Sequence, residues 1–172
     1  MSLFGQSSMG SPIQAHRVAV ANHVQWVEGN LETLGDPHNY VNQEDQSVFT
    51  ISDAHVAPWS FTGLPNSQPP TIIVAKDNVQ MLFFQEETSR ETFREAIHTE
   101  TLIFSLPLAV IRGNVPFLSE AKLHNFLDFL KGRFVPVTNA RIHYLAGSTV
   151  TTPAQADLLY INRSLVQSYV PA

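Results

Sequence analysis

The chain has 172 residues and no cysteine, which excludes disulfides, zinc–thiolate sites and thiol nucleophiles. Charge is also scarce. Asp, Glu, Lys and Arg make up 15% of the residues against 44% hydrophobic ones, a composition that builds a core and not a disordered chain. No apolar run is long enough to cross a bilayer; the longest, residues 102–110, is interrupted by Ser105 and Pro107. Phosphate-cradling glycine loops, dinucleotide fingerprints and the Gly-x-Ser-x-Gly elbow are missing. Residues 1–16 lack the basic start and apolar centre of an export signal, and their Ser, Gly and Gln content reads as a flexible tail. The expectation is a cytoplasmic, non-enzymatic chain with no membrane association, no cofactor and no metal.

What the chain does have is a repetition. Residues 17–34 align without a gap on residues 101–118, at a constant offset of 84. Gly29-Asn30 falls on Gly113-Asn114, and Val18, Val20, Val24, Trp26 and Val27 fall on Leu102, Phe104, Leu108, Val110 and Ile111. With small shifts, Phe49 meets Phe134, Asp53-Ala54-His55-Val56 meets Asn139-Ala140-Arg141-Ile142, and residues 72–75 meet 158–161. A period near 85 residues suits one small domain and is too long for a solenoid unit. The expected organisation is a tail at 1–16, a first repeat at 17–84, a linker helix at 85–100 and a second repeat at 101–172.

Charge divides unevenly between these segments. The first repeat carries two basic and seven acidic residues, the linker two against five, and the second repeat six against three; net charges of −5, −3 and +3 make up the total of −5. An acidic unit joined to a basic one favours attraction between unlike halves, within a chain or between chains.

Each repeat reads as strand, strand, helix and three further strands. Two short apolar runs around Asn22-His23 form a hairpin, and the glycine inside its second strand marks a bulge or a close backbone approach. In the second repeat Ser119 is an N-cap, Leu118 and Leu123 form a staple, and Leu123, Phe126, Leu127 and Leu130 recur at helical spacing up to Gly132. The first repeat offers only Asp36 as cap, Pro37 at the first turn, and Tyr40 and Val41 as anchors, so its helix is shorter. Strands are expected at 48–57, 71–76 and 79–84, and at 134–145, 157–161 and 165–170, with Pro136 at a bulge or edge. Loops 58–70 and 146–156 are long and rich in Pro, Ser, Thr and Gly. In the linker, Thr88 and Glu91 make a capping box, and Phe93, Ala96 and Ile97 form an apolar stripe. The fold class is mostly β with short helices (α+β): a tandem duplication of a five-stranded, barrel-like domain with one helix after strand 2 in each copy.

This pattern resembles the small SH3-like barrels, especially the Sm and Sm-like class. Val27-Glu28-Gly29-Asn30 resembles its glycine-bearing strand 2, Ser52-Asp53-Ala54 its strand 3 segment, and Ile161-Asn162-Arg163-Ser164-Leu165 its closing hairpin. The helix of that family precedes strand 1 but follows strand 2 here, and its closing Arg-Gly pair is replaced by Lys76-Asp77 and Arg163-Ser164. The segment from Leu118 to Leu130, with Phe134 beyond, also looks like short bacterial domains that carry no known activity.

Candidate chemistry is sparse. Asp36-Pro37-His38 and Asp53-Ala54-His55 are each Asp-x-His, yet neither recurs in the second repeat or has a third ligand at helical spacing. Glu44-Asp45 and Glu86-Glu87 are adjacent in sequence and diverge on a helix, as solvated faces do. Arg112, Arg133, Arg141 and Arg163, with Tyr144 and also Tyr160 available for stacking, are candidate contacts for nucleic acid or a protein partner. Phe83, Phe93, Ile97 and Phe129 are candidates for an inter-domain seam. The leading expectation is a partner-binding or assembly module that forms a homo-oligomer or meets a protein partner. RNA or single-stranded DNA binding by the basic repeat is the first alternative, and an enzyme with a site between the repeats the second.

Overall fold

The computed structural model describes residues 12–91, 93, 94, 96, 98–117 and 122–172. The first half builds β1 (Ile13–Asn22), β2 (Gln25–Leu34), α1 (Pro37–Tyr40), β3 (Val48–Pro58), β4 (Thr71–Ala75) and β5 (Val79–Phe84). After α2 (Glu87–Glu91) come β6 (Thr99–Ser105), β7 (Ala109–Pro116), α3 (Phe126–Phe129), β8 (Phe134–Tyr144), β9 (Gln155–Asn162) and β10 (Ser168–Pro171). The strands form one antiparallel sheet in the order β10-β6-β7-β8-β9-β5-β1-β2-β3-β4. Each half thus runs fifth, first, second, third, fourth strand.

Local chemistry explains several of these elements. The Asn22 side chain accepts the Val24 and Gln25 amides at 2.8 and 3.0 Å and closes the first hairpin as an Asx turn. Asp36 caps α1 by accepting the Asn39 amide at 3.1 Å, with Pro37 supplying a first-turn φ that suits the helix.

Gly29 and Gly113 sit at matching irregularities. Glu28 pairs with His55 and Asn30 with Ser52, so Gly29 opposes both Asp53 and Ala54; Gly113 likewise opposes Asn139 and Ala140. Asp53 and Asn139 take left-handed φ values of 48° and 50°, which short polar side chains tolerate. These bulges bring the neighbouring backbone close. A Cβ on Gly29 would lie 2.3 Å from Ile51 Cγ2 and 2.6 Å from the Ser52 carbonyl, and one on Gly113 2.4 Å from Val137 Cγ1.

Both faces of the central strands are buried. Every residue of β5 is buried, with Met81 and Phe83 on one face and Leu82 and Phe84 on the other. Its partner β9 divides in the same way, Leu159 and Ile161 against Leu158 and Tyr160. Two cores result, and each contains side chains from both halves. Phe134, Leu158 and Tyr160 complete the first core, while Ala19, Trp26, Trp59, Met81 and Phe83 contribute to the second.

Several sequence expectations need correction. Residues 13–16, assigned to the tail, extend β1 and pair with residues 31–34. The helix of the second half is a 3-10 turn at Leu123–Asn125 followed by the four residues of α3, shorter than its apolar spacing implies. The cap at Ser119 and the staple from Leu118 lie outside the described residues. Thr88 falls inside α2, which starts at Glu87, so it does not cap that helix. Pro136 lies in an inner strand and not at an edge: it pairs with Tyr160 of β9 on one side and lies beyond the last β7–β8 pair, Asn114 with Thr138, on the other.

Gly29→Ala and Gly113→Ala should each cost about 1–3 kcal/mol of stability, because either the bulge or the facing side chain must move. Urea unfolding followed by tryptophan fluorescence measures this. An unchanged midpoint at either position would show that the strands separate there without cost.

Candidate functional site: the seam between the halves and the open edges

The seam forms where β5 pairs with β9, Met81 opposite Ile161 and Leu82 opposite Tyr160. Polar side chains fasten it. At one end the Asn42 side chain accepts the Phe134 amide at 2.8 Å and donates to the Phe134 carbonyl at 3.1 Å, a two-point contact spanning 92 residues of sequence. Asn162 donates to the Lys76 carbonyl at 3.2 Å, and its Oδ1 accepts from the Ser164 hydroxyl at 2.6 Å. Arg133 meets Asp77 at 2.8 Å.

These residues border a cavity of about 460 Å³ lined by Asn42, Glu44, Lys76, Asp77, Arg133 and Arg163, among others. Its cations are already engaged. Lys76 is 1% exposed, its ammonium 4.9 Å from the Phe49 ring centre and donating to the Gln43 carbonyl at 3.2 Å. Burial, followed by the nearby Arg133 charge, holds the Lys76 pKa below its usual value, and Asp45 only partly opposes this. Arg163 donates to the carbonyls of Leu127 and Leu130. The arrangement is a built polar clamp.

On the other face of the sheet, against the second core, the two long loops meet. The Ser60 amide donates to the Gly147 carbonyl at 2.8 Å, and Thr149 Oγ1 donates to Asn66 Oδ1 at 2.8 Å. Beneath them Trp26 packs with Trp59, Phe83 and Tyr144, which spans the two halves. The Gln80 side chain accepts the Leu108 amide at 3.1 Å.

A third contact joins α1, α2 and β9. The Ser89 carbonyl can only accept, so His38 Nε2 carries the proton that reaches it at 3.0 Å. Nδ1 therefore accepts from the Tyr160 hydroxyl at 2.6 Å. Phe93 packs on both rings, 5.4 Å from His38 and 6.5 Å from Tyr160. His16 Nδ1 lies 2.7 Å from Ser89 Oγ, while its buried Nε2 has no hydrogen-bond partner among the described residues.

The sequence-derived candidates separate into distinct places. Arg133 and Arg163 line the seam cavity, whereas Arg112 and Arg141 stand opposite each other on the exposed face of β7 and β8. Tyr144 is half-buried against Trp26 and Trp59, with its hydroxyl donating to the Pro153 carbonyl at 3.0 Å. Phe83 is core, Phe93 lies at the seam, Phe129 is 43% exposed, and Ile97 falls outside the described residues. Of the Asp-x-His pairs, Asp36 caps a helix and His38 holds Tyr160, while Asp53 occupies a bulge and His55 is exposed. Asn42 was not singled out from sequence, Lys76 and Asn162 stood only as turn residues, and Tyr160, offered for stacking, is buried at the seam. The one available signal was the correspondence of the closing turns at Lys76-Asp77 and Arg163-Ser164.

Among the described residues, two strands have a neighbour on one side only: β4 on the first half and β10 on the second. Each presents an outward apolar side chain, Ile73 at 67% and Val170 at 52% exposure. Fold and seam therefore define one ten-stranded antiparallel sheet whose two halves share a strand order, with an edge left open at each end among the described residues. No protein-family model matches the chain, and comparisons with curated proteins and with solved structures likewise find no match.

The buried histidines make stability depend on pH. Burial, the leading cause, holds both His16 and His38 below the ordinary 6.5; Glu86 and Asp36 oppose this at His16, as do Asp36 and the Ser89 bond at His38. The unfolded chain thus takes up protons first. Their contribution is complete above about pH 6.5 and declines as the pH falls through the window below it. Thermal midpoints measured from about pH 7.5 down to about pH 5 should decrease, and His38→Gln should flatten the slope. A slope unaltered by that substitution would place the proton uptake elsewhere.

Proposed function

We propose that the chain is a non-enzymatic assembly module, a tandem duplication of a small barrel-like five-stranded domain that joins copies of itself head to tail. One observation carries this reading. Inside the chain, the halves meet through the fifth strand of the first and the fourth strand of the second. The edges left open are the fourth strand of the first half and the fifth strand of the second, the same two kinds of edge. Pairing β10 of one chain with β4 of the next would repeat the internal junction.

Supporting features lie at these edges and in the charge distribution. An open strand presents unpaired N–H and C=O groups that favour addition of another strand, and natural edges are usually blunted by charge. Here β4 (TIIVA) and β10 (SYVP) carry no charged residue. The acidic first half and basic second half attract in a head-to-tail arrangement and repel in a like-to-like one. A heterologous junction of this kind closes into a ring or extends as a filament.

Light scattering coupled to size exclusion tests the reading. The native chain should form oligomers larger than a dimer, more readily at low salt. Ile73→Lys and Val170→Lys should each be monomeric alone, because each retains one competent edge. Mixed in equal amounts they should yield a one-to-one dimer, since the intact β10 of the first meets the intact β4 of the second. A native chain that stays monomeric across concentration and salt, or variants that fail to complement, would overturn the proposal.

A further inference from the structure

We propose that Arg112 and Arg141 form a binding site for a phosphorylated small molecule on the outer face of the second half, independent of the edge-to-edge assembly. The two residues are directly opposed on β7 and β8, and both are exposed. Like charges placed opposite each other on antiparallel strands are destabilising. Four of the other five arginines have partners: Arg17 lies 4.0 Å from Glu28, Arg90 4.0 Å from Asp157, Arg133 2.8 Å from Asp77, and Arg163 holds backbone carbonyls, while Arg94 stands alone and exposed with no arginine opposite it among the described residues. Arg112 and Arg141 have neither an ion pair nor a hydrogen bond among the described residues. Their positive charge is left for something outside the chain.

The surroundings narrow the ligand. On one side of the pair lies a polar concavity of about 430 Å³ lined by Thr101, Asn114, Asn139 and Gln155. Asn139 is the left-handed residue of the β8 bulge, so the backbone is widened beside the arginines. On the other side Ile103, Val110 and Ile142 border a shallow hollow of about 290 Å³. Two guanidinium forks match the oxygens of one phosphoryl group, and a phosphomonoester near −1.5 to −2 charge at about pH 7 offsets both cations, where a carboxylate offsets one. Asp157 also borders the concavity, but its carboxylate faces Arg90. The ligand is therefore a phosphomonoester whose phosphoryl group bridges the arginines and whose apolar or planar part covers Ile103 and Val110.

The opposite half shows what this site requires. By position in the matching strand pairs, Glu28 corresponds to Arg112 and His55 to Arg141, and Glu28 pairs with His55 across β2 and β3. The same strand positions thus carry an acidic residue and an imidazole there, so the anion site belongs to the second half alone.

Calorimetric titration of the full chain with phenyl phosphate, inorganic phosphate, phenol and a short oligothymidylate tests the assignment. Phenyl phosphate should bind saturably and raise the thermal midpoint, inorganic phosphate should bind more weakly, and phenol should not bind. Arg112→Gln and Arg141→Gln should each weaken phenyl phosphate by about tenfold or more, Arg112→Lys by less, and Arg17→Gln not at all. In the absence of ligand, Arg112→Gln should not lower the thermal midpoint, since it removes a like-charge neighbour. The site is overturned by absence of saturation with phenyl phosphate, by equal affinity in the glutamine variants, or by tighter binding of oligothymidylate, which would assign the arginines to nucleic acid.

Discussion

The pairing of β5 with β9 is the contact on which the rest of the architecture depends. Because successive side chains of a strand point to opposite faces, β5 sends Met81 and Phe83 into one core and Leu82 and Phe84 into the other. β9 does the same with Leu159 and Ile161 against Leu158 and Tyr160. Neither half completes its core alone: remove the second, and Phe49 loses Phe134, 5.8 Å away; remove the first, and Tyr144 loses Trp26 and Trp59. Each half therefore relies on the other to complete its core, although their strand orders are alike. A slip of one residue between β5 and β9 would exchange the two faces, so the register must be fixed by more than hydrophobicity.

The buried polar groups supply that fixation. Asn42 reads both the amide and the carbonyl of Phe134, and Asn162 reaches the carbonyls of Lys76 and Asp77, so each amide fits only one alignment of the seam. Burying polar groups is costly unless they are hydrogen-bonded, and these are. Lys76 is the extreme case, an ammonium held between aromatic faces and a carbonyl. An apolar side chain could fill the same volume without the desolvation cost, so its value lies in orientation more than in net stability.

How much was legible in the sequence follows from the range of the interactions. Short apolar runs marked the strands in outline, though not the true starts of β1 and β10, and Gly29 with Gly113 marked both bulges, because these signals are local. The helix near residue 126 was overcalled for the opposite reason. Leu123, Phe126, Leu127 and Leu130 have helical spacing, but the carbonyls of Leu127 and Leu130 are taken by Arg163, and that of Leu123 by the Tyr169 hydroxyl. Side chains from the end of the chain satisfy groups that a longer helix would have used. The seam was illegible on the same grounds: Asn42, His38 and Asn162 are ordinary polar residues until partners 85 to 122 positions away arrive.

What differs between the halves is as informative as what agrees. The agreements are demands of the backbone: a glycine where strands approach too closely for a Cβ, a short polar residue at the left-handed bulge position, and an Asn opposite Arg17 and Thr101 in the same register. The differences lie on outward-facing side chains, where Glu28 and His55 stand in one half and Arg112 and Arg141 in the other. Joining strands edge to edge uses main-chain groups, so an assembly of that kind constrains the backbone and leaves the outer faces free to diverge. Ligand chemistry makes the opposite demand, since it needs particular side chains and little from the strand order. The two halves thus combine like strand orders with two unlike outer surfaces, and among the described residues Arg112 and Arg141 have no internal counter-ion.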